Sequence, residues 1–196
     1  EAIHLQSQCI QQSYIDAATT ICDPMFDIGN WQELATLDFA REAMTGIALD
    51  SDPGPRSAIR PPNKNDKGNT THLVVVDKDG NAVSLTQTIN HFFGAGVMAP
   101  GTGLLLNNQM QDFSVPPPDS LLDVIPLSRN LIEGGKRPRS NMSPLIMLKD
   151  GKVKLIVGTP GGTRIPATMA QIVVNATVYG MDISSAIDYP RFFPSN

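Results

Sequence analysis

The feature that constrains this fold most is a pattern that occurs twice: a strand-like apolar run, an Asp-Gly turn and a second strand-like run. The first copy covers residues 70–88, with Asp79-Gly80 near its centre, and the second covers residues 145–157 around Asp150-Gly151. Asp-Gly between alternating apolar residues is a strong hairpin signal. The sequence therefore predicts two antiparallel hairpins, which need no crossover helix between their strands.

Helical periodicity flanks the hairpins. The sequence predicts helices over residues 2–20 and 34–48 before them, and over residues 165–179 and near 183–188 after them. Pro166 is compatible with a helix start, because the N–H groups of a first turn have no intrahelical partner. Helices at both ends of the chain with sheet between them predict an α+β or layered α/β/α fold.

Two proline-rich segments separate these elements. Residues 50–69 contain four prolines among Gly, Asn and Asp, and we expect an exposed connector there. Residues 114–136 include Pro116-Pro117-Pro118 and predict a long loop. Loops of this length in a compact domain are commonly functional or mobile. The connector ends directly before Thr70, where the strand pattern begins.

Composition narrows the classes of function. The 196 residues are 41% hydrophobic and 17% charged, which supplies a core and excludes disorder as the dominant state. The net charge is −4 without a basic stripe, so we expect no nucleic-acid partner. Residues 1–69 carry net −5 and residues 70–196 net +1, so the second part does not repel a small anion. The His and Cys residues lack metal-ligand spacing, and we predict neither a metal nor a cofactor.

Thr70 opens the first strand within Gly68-Asn69-Thr70-Thr71-His72. Attack of its hydroxyl on the Asn69 carbonyl would give an ester by N→O shift, and hydrolysis would free Thr70 as a new N-terminus. An α-amine has a pKa of about 8, so it could act as general base for the hydroxyl of its own residue. The residues alone leave a second interpretation open, in which Thr70 and Thr71 are ordinary strand formers.

Longer motifs around Thr70 resemble those of a known family. The stretch 69–114, which begins NTTHLVVVDKDG, resembles the start of the small subunit of gamma-glutamyltranspeptidases. KRPRSNMSP (136–144) and VGTPGGTRI (157–165) resemble later parts of that subunit, and residues 22–26 resemble a segment near the end of the large subunit. Several long motifs in the family's order are more specific than any one of them.

The resemblance implies an N-terminal-nucleophile hydrolase, an α+β fold with a four-layer αββα sandwich that this chain holds in part. Residues 1–69 would be the end of the large subunit, and residues 70–196 the catalytic core of the small subunit without its C-terminal part. The loop 114–136 stands where the family has a lid loop. The implied partner is the rest of the large subunit, in a heterodimer of self-cleaved subunits.

The resemblance also implies a catalytic set. Thr70 corresponds to the nucleophile, Thr88 to a threonine that hydrogen-bonds it, and Gly161-Gly162 to an oxyanion hole. Glycines suit that role because the backbone must approach the substrate without a Cβ. From the residues alone, Thr88 could be a solvent-facing strand residue, and the glycines a turn between strand and helix. His72 and His91 are interpreted as packing residues.

A second set resembles the family's substrate ligands. Asn90, Gln109 and Asp112 correspond to ligands of the substrate α-amino group, since two amides and a carboxylate offer an ammonium three acceptors. Without the resemblance, Gln109 and Asp112 would be turn residues after a strand. Ser140 corresponds to a serine that hydrogen-bonds the α-carboxylate. Asn141 stands where the family commonly has a second serine, and its amide can still donate.

The implied function is gamma-glutamyl transfer or hydrolysis on glutathione-like amides, without a cofactor. Thr70 would form a gamma-glutamyl ester, which passes to water or to an amino-acid or peptide acceptor. The family suggests a periplasmic or extracellular location. One alternative is an uncleaved, inactive relative that serves as a binding module. Another is an acylase or poly-gamma-glutamate transpeptidase of the same fold, although Asp112 favours a substrate with an α-amino group over a glutaryl one.

Overall fold

The computed structural model describes residues 2–26, 31–47, 69–115 and 129–194. Apart from Asn69, the predicted connector lies outside these residues, as do residues 116–128 of the predicted loop. The chain divides into two compact units. Unit 1 comprises Glu1–Pro61, Met110–Ser140 and Pro194–Asn196, and unit 2 comprises Pro62–Gln109 and Asn141–Phe193. The units interleave along the chain, and a subunit boundary at Asn69–Thr70 stays a prediction.

The described part of unit 1 contains two α-helices. The first, α1, spans Ala2–Thr20, as predicted. The second, α2, spans Leu37–Thr45 and begins later than the periodicity predicts, because Glu33–Ala35 form a 3₁₀ turn. Thr36 lies between them with an extended backbone, and its Oγ1 accepts a hydrogen bond from the Phe39 N–H at 3.2 Å. This side chain satisfies one of the unpaired donors at the helix start and so fixes where α2 begins.

Both predicted hairpins are present in unit 2. Strands β1 (Thr70–Val76) and β2 (Ala82–Thr88) pair antiparallel, with Thr70 opposite Thr88. Strands β3 (Leu145–Lys149) and β4 (Lys152–Val157) also pair antiparallel, with a register shift at Met147/Leu148. Over the described residues, these strands form two separate two-stranded sheets.

The turn of the first hairpin sets this register. Asp77 Oδ1 accepts hydrogen bonds from the N–H groups of Asp79 and Asn81, at 2.8 and 2.9 Å. The side-chain amide of Asn81 and these N–H groups hold the pKa of Asp77 below its usual value. Gly80 has φ 87°, a backbone conformation that L side chains rarely adopt. The turn therefore places the two ends of the hairpin, Thr70 and Thr88, opposite each other.

The core of unit 2 lies between the second hairpin and two helices. Helix α3 spans Ile165–Thr177 with Pro166 in its first turn, and α4 spans Ile183–Asp188. Among the described residues, the buried cluster consists of Val157, Ile165, Met169, Ile172 and Ala186. Full burial of one Ile or Met side chain contributes roughly 1.5–3 kcal/mol. Since Val157 and Ile165 both belong to the cluster, the core anchors both ends of segment 158–164, which joins β4 to α3.

No helix in the described part of the chain is both long enough and apolar enough to cross a membrane.

Candidate active site

The hydroxyls of Thr70 and Thr88 meet at the open end of the first hairpin. Thr70 Oγ1 donates a hydrogen bond to Thr88 Oγ1 at 3.2 Å, and both residues are half-buried. The register makes this contact possible, because residues directly opposite on antiparallel strands present their side chains on the same face. The predicted nucleophile and its predicted hydroxyl neighbour are thus in contact, while their roles in catalysis stay predictions.

Asn90 adjoins this hydroxyl pair. Its backbone N–H donates to Thr88 Oγ1 at 2.9 Å, and its φ of 72° turns the chain sharply after β2. Its Nδ2 donates to the carbonyl oxygen of Asn108 at 3.3 Å, and the Asn108 Oδ1 accepts the N–H of His91 at 2.9 Å. Two asparagines therefore fasten the segment after β2 to the segment before Gln109. The sequence pattern did not single out Asn108, because its contacts lie 17 and 18 residues away.

His72 lies on the same hairpin face as Thr70, two residues further along β1. Its Nδ1 is 2.8 Å from Thr86 Oγ1, and its buried Nε2 has no partner among the described residues. The ring packs against Gly158 so closely that a Cβ there would lie 2.2 Å from the His72 Cε1. His72 is therefore a packing residue, as predicted, and it fills the space between β1 and the end of β4. His91, by contrast, is exposed.

The Gly161-Gly162 loop has a backbone that favours glycine at both positions. Gly161 has φ 144° and Gly162 has φ 58°, both in the region that side chains with a Cβ rarely adopt. Within the described residues, neither N–H donates a hydrogen bond, and the Gly161 carbonyl accepts the Arg164 N–H at 3.1 Å. Whether these N–H groups form an oxyanion hole stays a prediction.

The remaining predicted ligands fall in different units. In unit 2, the Gln109 N–H donates to Asn107 Oδ1 at 2.9 Å, and the Asn141 carbonyl accepts from Ser143 Oγ at 3.1 Å. Asp112 and Ser140 belong to unit 1, where Asp112 is half-buried and Ser140 is exposed.

Arg139 brings charge close to the two unit 1 ligands. It directly precedes Ser140, and its Nη1 donates to the Ala17 carbonyl at the end of α1, at 3.0 Å. Burial lowers the pKa of Arg139, and the negative charge of Asp112 partly offsets that effect. A guanidinium stays protonated under all ordinary conditions, so Arg139 is a permanent positive charge beside Asp112.

Arg137 forms an ion pair that the sequence pattern did not reveal. Its Nη2 and Nε donate to the two carboxylate oxygens of Asp23 at 2.8 and 3.0 Å, and its backbone N–H donates to the same carboxylate at 2.9 Å. These hydrogen bonds from Arg137 hold the pKa of Asp23 well below its usual range. The Asp23 side chain is buried, with 1% of its surface exposed. The pair therefore ties the segment leading to Ser140 to the residues just after α1.

The part of the chain that the structure describes holds no group of three or more His, Cys, Asp or Glu residues able to bind a metal ion.

A model of the gamma-glutamyltranspeptidase family matches residues 1–196. The chain belongs to the gamma-glutamyltranspeptidase family. The match confirms the resemblance seen in the motifs around Thr70, Arg137 and Gly161.

Curated members of the gamma-glutamyltranspeptidase family match at substantial identity. The glutathione hydrolase proenzyme of Escherichia coli (strain K12) is 40% identical over 195 residues, 98% of this chain and 33% of that protein. The chain therefore spans about a third of that relative's length. The putative inactive glutathione hydrolase 4 of Arabidopsis thaliana is 47% identical over 131 residues, 66% of this chain and 68% of that protein.

Solved structures support the fold. A mutant gamma-glutamyltranspeptidase from Helicobacter pylori matches with a TM-score of 0.55 and 49% identity, covering 62% of this chain and 66% of that one. A cephalosporin acylase from Bacillus halodurans matches with a TM-score of 0.73 and 24% identity, covering 96% of this chain and 32% of that one. The second likeness shows the fold alone. The chain has the α+β fold of N-terminal-nucleophile hydrolases, as predicted.

Proposed function

We propose that this chain carries the nucleophile of an enzyme that transfers or hydrolyses gamma-glutamyl groups of glutathione-like amides. The observation that carries the proposal is the 3.2 Å hydrogen bond between the hydroxyls of Thr70 and Thr88, in a member of this family. Relatives in the family are named glutathione hydrolase proenzymes, a name that indicates a precursor. Thr70 stands at the first residue of β1, where cleavage would leave it at the start of a strand.

Self-cleavage would begin with attack of Thr70 Oγ1 on the carbonyl carbon of Asn69. The amide bond between the two residues breaks, and an ester forms in its place. Water then hydrolyses the ester, which leaves a carboxylate on Asn69 and a free α-amine on Thr70. The hydroxyl proton passes to the Thr70 nitrogen as the amide bond breaks. Because the pKa of an α-amine is about 8, part of the freed amine is unprotonated at neutral pH and can accept the hydroxyl proton in the later transfer reaction.

In the transfer reaction, Thr70 Oγ1 attacks the gamma-carbonyl carbon of the substrate. A tetrahedral oxyanion forms, and the N–H groups of Gly161 and Gly162 would stabilise it. The leaving amine departs with a proton, and a gamma-glutamyl ester of Thr70 remains. Water or an amino-acid or peptide amine then attacks this ester and regenerates the hydroxyl.

The head group of the substrate would be held by the second set of residues. Asn90, Gln109 and Asp112 would accept hydrogen bonds from the α-ammonium, and Ser140 and Asn141 would donate to the α-carboxylate. The positive charge of Arg139, which interacts electrostatically with Asp112 and directly precedes Ser140, also favours an anionic head group.

The complete enzyme would hold the αββα sandwich and the large subunit as its partner. One face of the first hairpin supports this, because it presents four apolar side chains that are 38–55% exposed: Leu73, Val75, Val83 and Leu85. An exposed apolar sheet face of this kind is typical of a surface that another layer covers. In the processed enzyme, we expect the second sheet of the sandwich to cover it.

An inactive, uncleaved relative that serves as a binding module is the second candidate, because the Arabidopsis thaliana relative at 47% identity is named a putative inactive glutathione hydrolase. The Thr70–Thr88 pair favours the active enzyme, since a binding module needs no hydroxyl at the cleavage point. An acylase of the same fold is less favoured. Its likeness extends to the fold only, and a glutaryl substrate would leave the Asp112 carboxylate without its ammonium partner.

Self-cleavage is tested by expressing the complete gene and separating the product by denaturing electrophoresis. We expect two fragments, the smaller beginning with Thr70, and release of the amine from a gamma-glutamyl anilide. Thr70→Ala should stay whole and inactive. Thr71→Ala is the matched control, because Thr71 lies on the face of β1 opposite the Thr70–Thr88 hydroxyl pair, so this variant should cleave normally.

A single intact wild-type chain would overturn the self-cleavage proposal. Turnover of a glutaryl anilide but not of a gamma-glutamyl anilide would instead favour the acylase.

A further inference from the structure

Asn130 is a polar residue with no exposed surface, 0% by relative accessibility. Burial of an amide is unfavourable unless its donors and acceptors are paired. Neither the motifs nor the proposed reaction assigns this residue a role. Its burial therefore requires an explanation in the contacts it makes within unit 1.

Those contacts connect two separate segments of backbone. The Asn130 Nδ2 donates to the Asp112 carbonyl at 2.7 Å, and its Oδ1 accepts the backbone N–H of Arg139 at 2.9 Å. Its own carbonyl accepts the Ser114 N–H at 2.8 Å. A single side chain thus links the backbone at residues 112–114 to the backbone at Arg139, and the Asn130 carbonyl adds a second contact to the first segment.

The two linked segments carry the two unit 1 ligands proposed for the substrate head group. Asp112 is itself in contact with Asn130, and Ser140 follows Arg139 directly in the chain. The α-amino and α-carboxylate groups of an amino acid are attached to one carbon, so the spacing between their ligands has little freedom. Binding sites need their ligands held within about 0.5 Å of the productive geometry.

We propose that Asn130 is a positioning residue that sets the spacing between Asp112 and Ser140, so that both ends of an α-amino-acid head group bind together. This inference rests on the proposed function, because it takes the head group to be gamma-glutamyl. Asn130 acts through backbone atoms of its neighbours and does not touch the substrate. It determines specificity for substrates that carry both an α-amino and an α-carboxylate group.

The test is Asn130→Asp in the product of the complete gene. The substitution keeps the oxygen that accepts from Arg139 and replaces the donor to Asp112 with a second oxygen, at nearly unchanged volume. We expect KM for a gamma-glutamyl anilide to rise about tenfold, with kcat changed less than about threefold. Inhibition by L-glutamate should weaken about tenfold, whereas inhibition by glutarate, which has no ammonium, should change little.

Gln171→Glu is the matched control. Gln171 is also buried, and its amide bridges backbone groups in the same manner, with Nε2 donating to Phe192 O at 2.9 Å and Oε1 accepting the Phe192 N–H at 3.1 Å. This bridge lies in unit 2 and has no proposed substrate ligand at either end. We expect Gln171→Glu to lower stability and to leave KM and the inhibitor ratio unchanged.

The outcomes separate this inference from the proposed function. If the wild type turns over the anilide and Asn130→Asp has an unchanged KM, the inference alone fails. If the wild type has no turnover but binds L-glutamate by calorimetry, and Asn130→Asp weakens that binding, the proposed function fails and the inference stands. Absence of both turnover and glutamate binding in the wild type overturns both. Loss of folded protein in Asn130→Asp and in Asn130→Ser would also overturn the inference, since the residue would then serve the fold itself.

Discussion

The two units hold their candidate site residues in place by different means. In unit 2, Thr70 and Thr88 are 18 residues apart in sequence and meet because one turn sets the hairpin register. In unit 1, Asp23 and Arg137 are 114 residues apart and form an ion pair that no local sequence pattern predicts. The nucleophile is therefore placed by local sequence, whereas the segment that leads to Ser140 is placed by long-range contacts.

The two units also differ in charge. The unit 2 site consists of hydroxyls, amides and glycine N–H groups, while unit 1 contains Asp23, Arg137, Arg139 and Asp112. If this comparison holds, changes at the hydroxyl pair and the glycine loop of unit 2 should act mainly on kcat, and changes at the charged residues of unit 1 should act on KM and on stability in acid. The following experiments test this difference between the units, in order from the largest expected effect to the smallest.

Gly161→Ala should cause the largest loss. The φ of 144° at Gly161 is strained for alanine, so the loop would relax and move its N–H donors. We expect kcat for a gamma-glutamyl anilide to fall about 100-fold, with a smaller change in KM. Gly180→Ala is the control, since Gly180 has φ 67° in open space after α3, and there alanine should cost only about 1–2 kcal/mol of stability. An effect confined to KM would contradict a role for this loop in the reaction step.

Gly158→Ala should have the next largest effect, because the new methyl would overlap the His72 ring. Overpacking of this kind costs about 1–3 kcal/mol, and urea unfolding should show it. Displacement of His72 should also lower kcat, since the ring lies beside Thr70 on β1. Combining Gly158→Ala with His72→Ser should recover part of the stability, while Gly134→Ala, with nothing within 4 Å, should be near neutral. Equal losses of stability in the single and the double variant would show that overlap with the His72 ring is not the cause of the destabilisation.

Sequence alone predicts the elements of this fold better than the contacts between them. The hairpins and helices followed from Asp-Gly turns and apolar periodicity, because both signals depend on near neighbours. The late start of α2 at Leu37 depended on whether Thr36 would cap, which periodicity does not report. The contacts of Gly158 and Asn130 could not be predicted from local sequence. The His72 ring that packs against Gly158 and the Asp112 carbonyl that Asn130 binds both come from other parts of the chain.

Acid should act on unit 1 through Asp23. The hydrogen bonds from Arg137 lower the folded-state pKa of Asp23 below the unfolded value of about 3.9, so the pair stabilises the fold above that pH and loses its effect as pH falls below it. Asp23→Asn should lower the urea midpoint at pH 7. Below about pH 4, the midpoint of this variant should fall less steeply with pH than that of the wild type. Asp38→Asn, which breaks an exposed pair with Arg41, should change the midpoint little. Parallel pH profiles for wild type and Asp23→Asn would show that the ion pair does not hold this segment.

Thr36→Ala should give the smallest effect and the finest test of the comparison. Thr36 Oγ1 accepts from the Phe39 N–H and donates to the Glu33 carbonyl, so its contacts are as local as those of the hairpin turn, but they lie in unit 1. Loss of the cap should cost about 1 kcal/mol in urea unfolding, with kcat and KM unchanged. Thr45→Ala, at the other end of α2, should be neutral or slightly stabilising, because alanine has the higher helix propensity and no cap is lost. If Thr36→Ala destabilises the protein as much as Asp23→Asn does, unit 1 depends on local contacts as strongly as unit 2 does. Charge would then be the remaining difference between the two units.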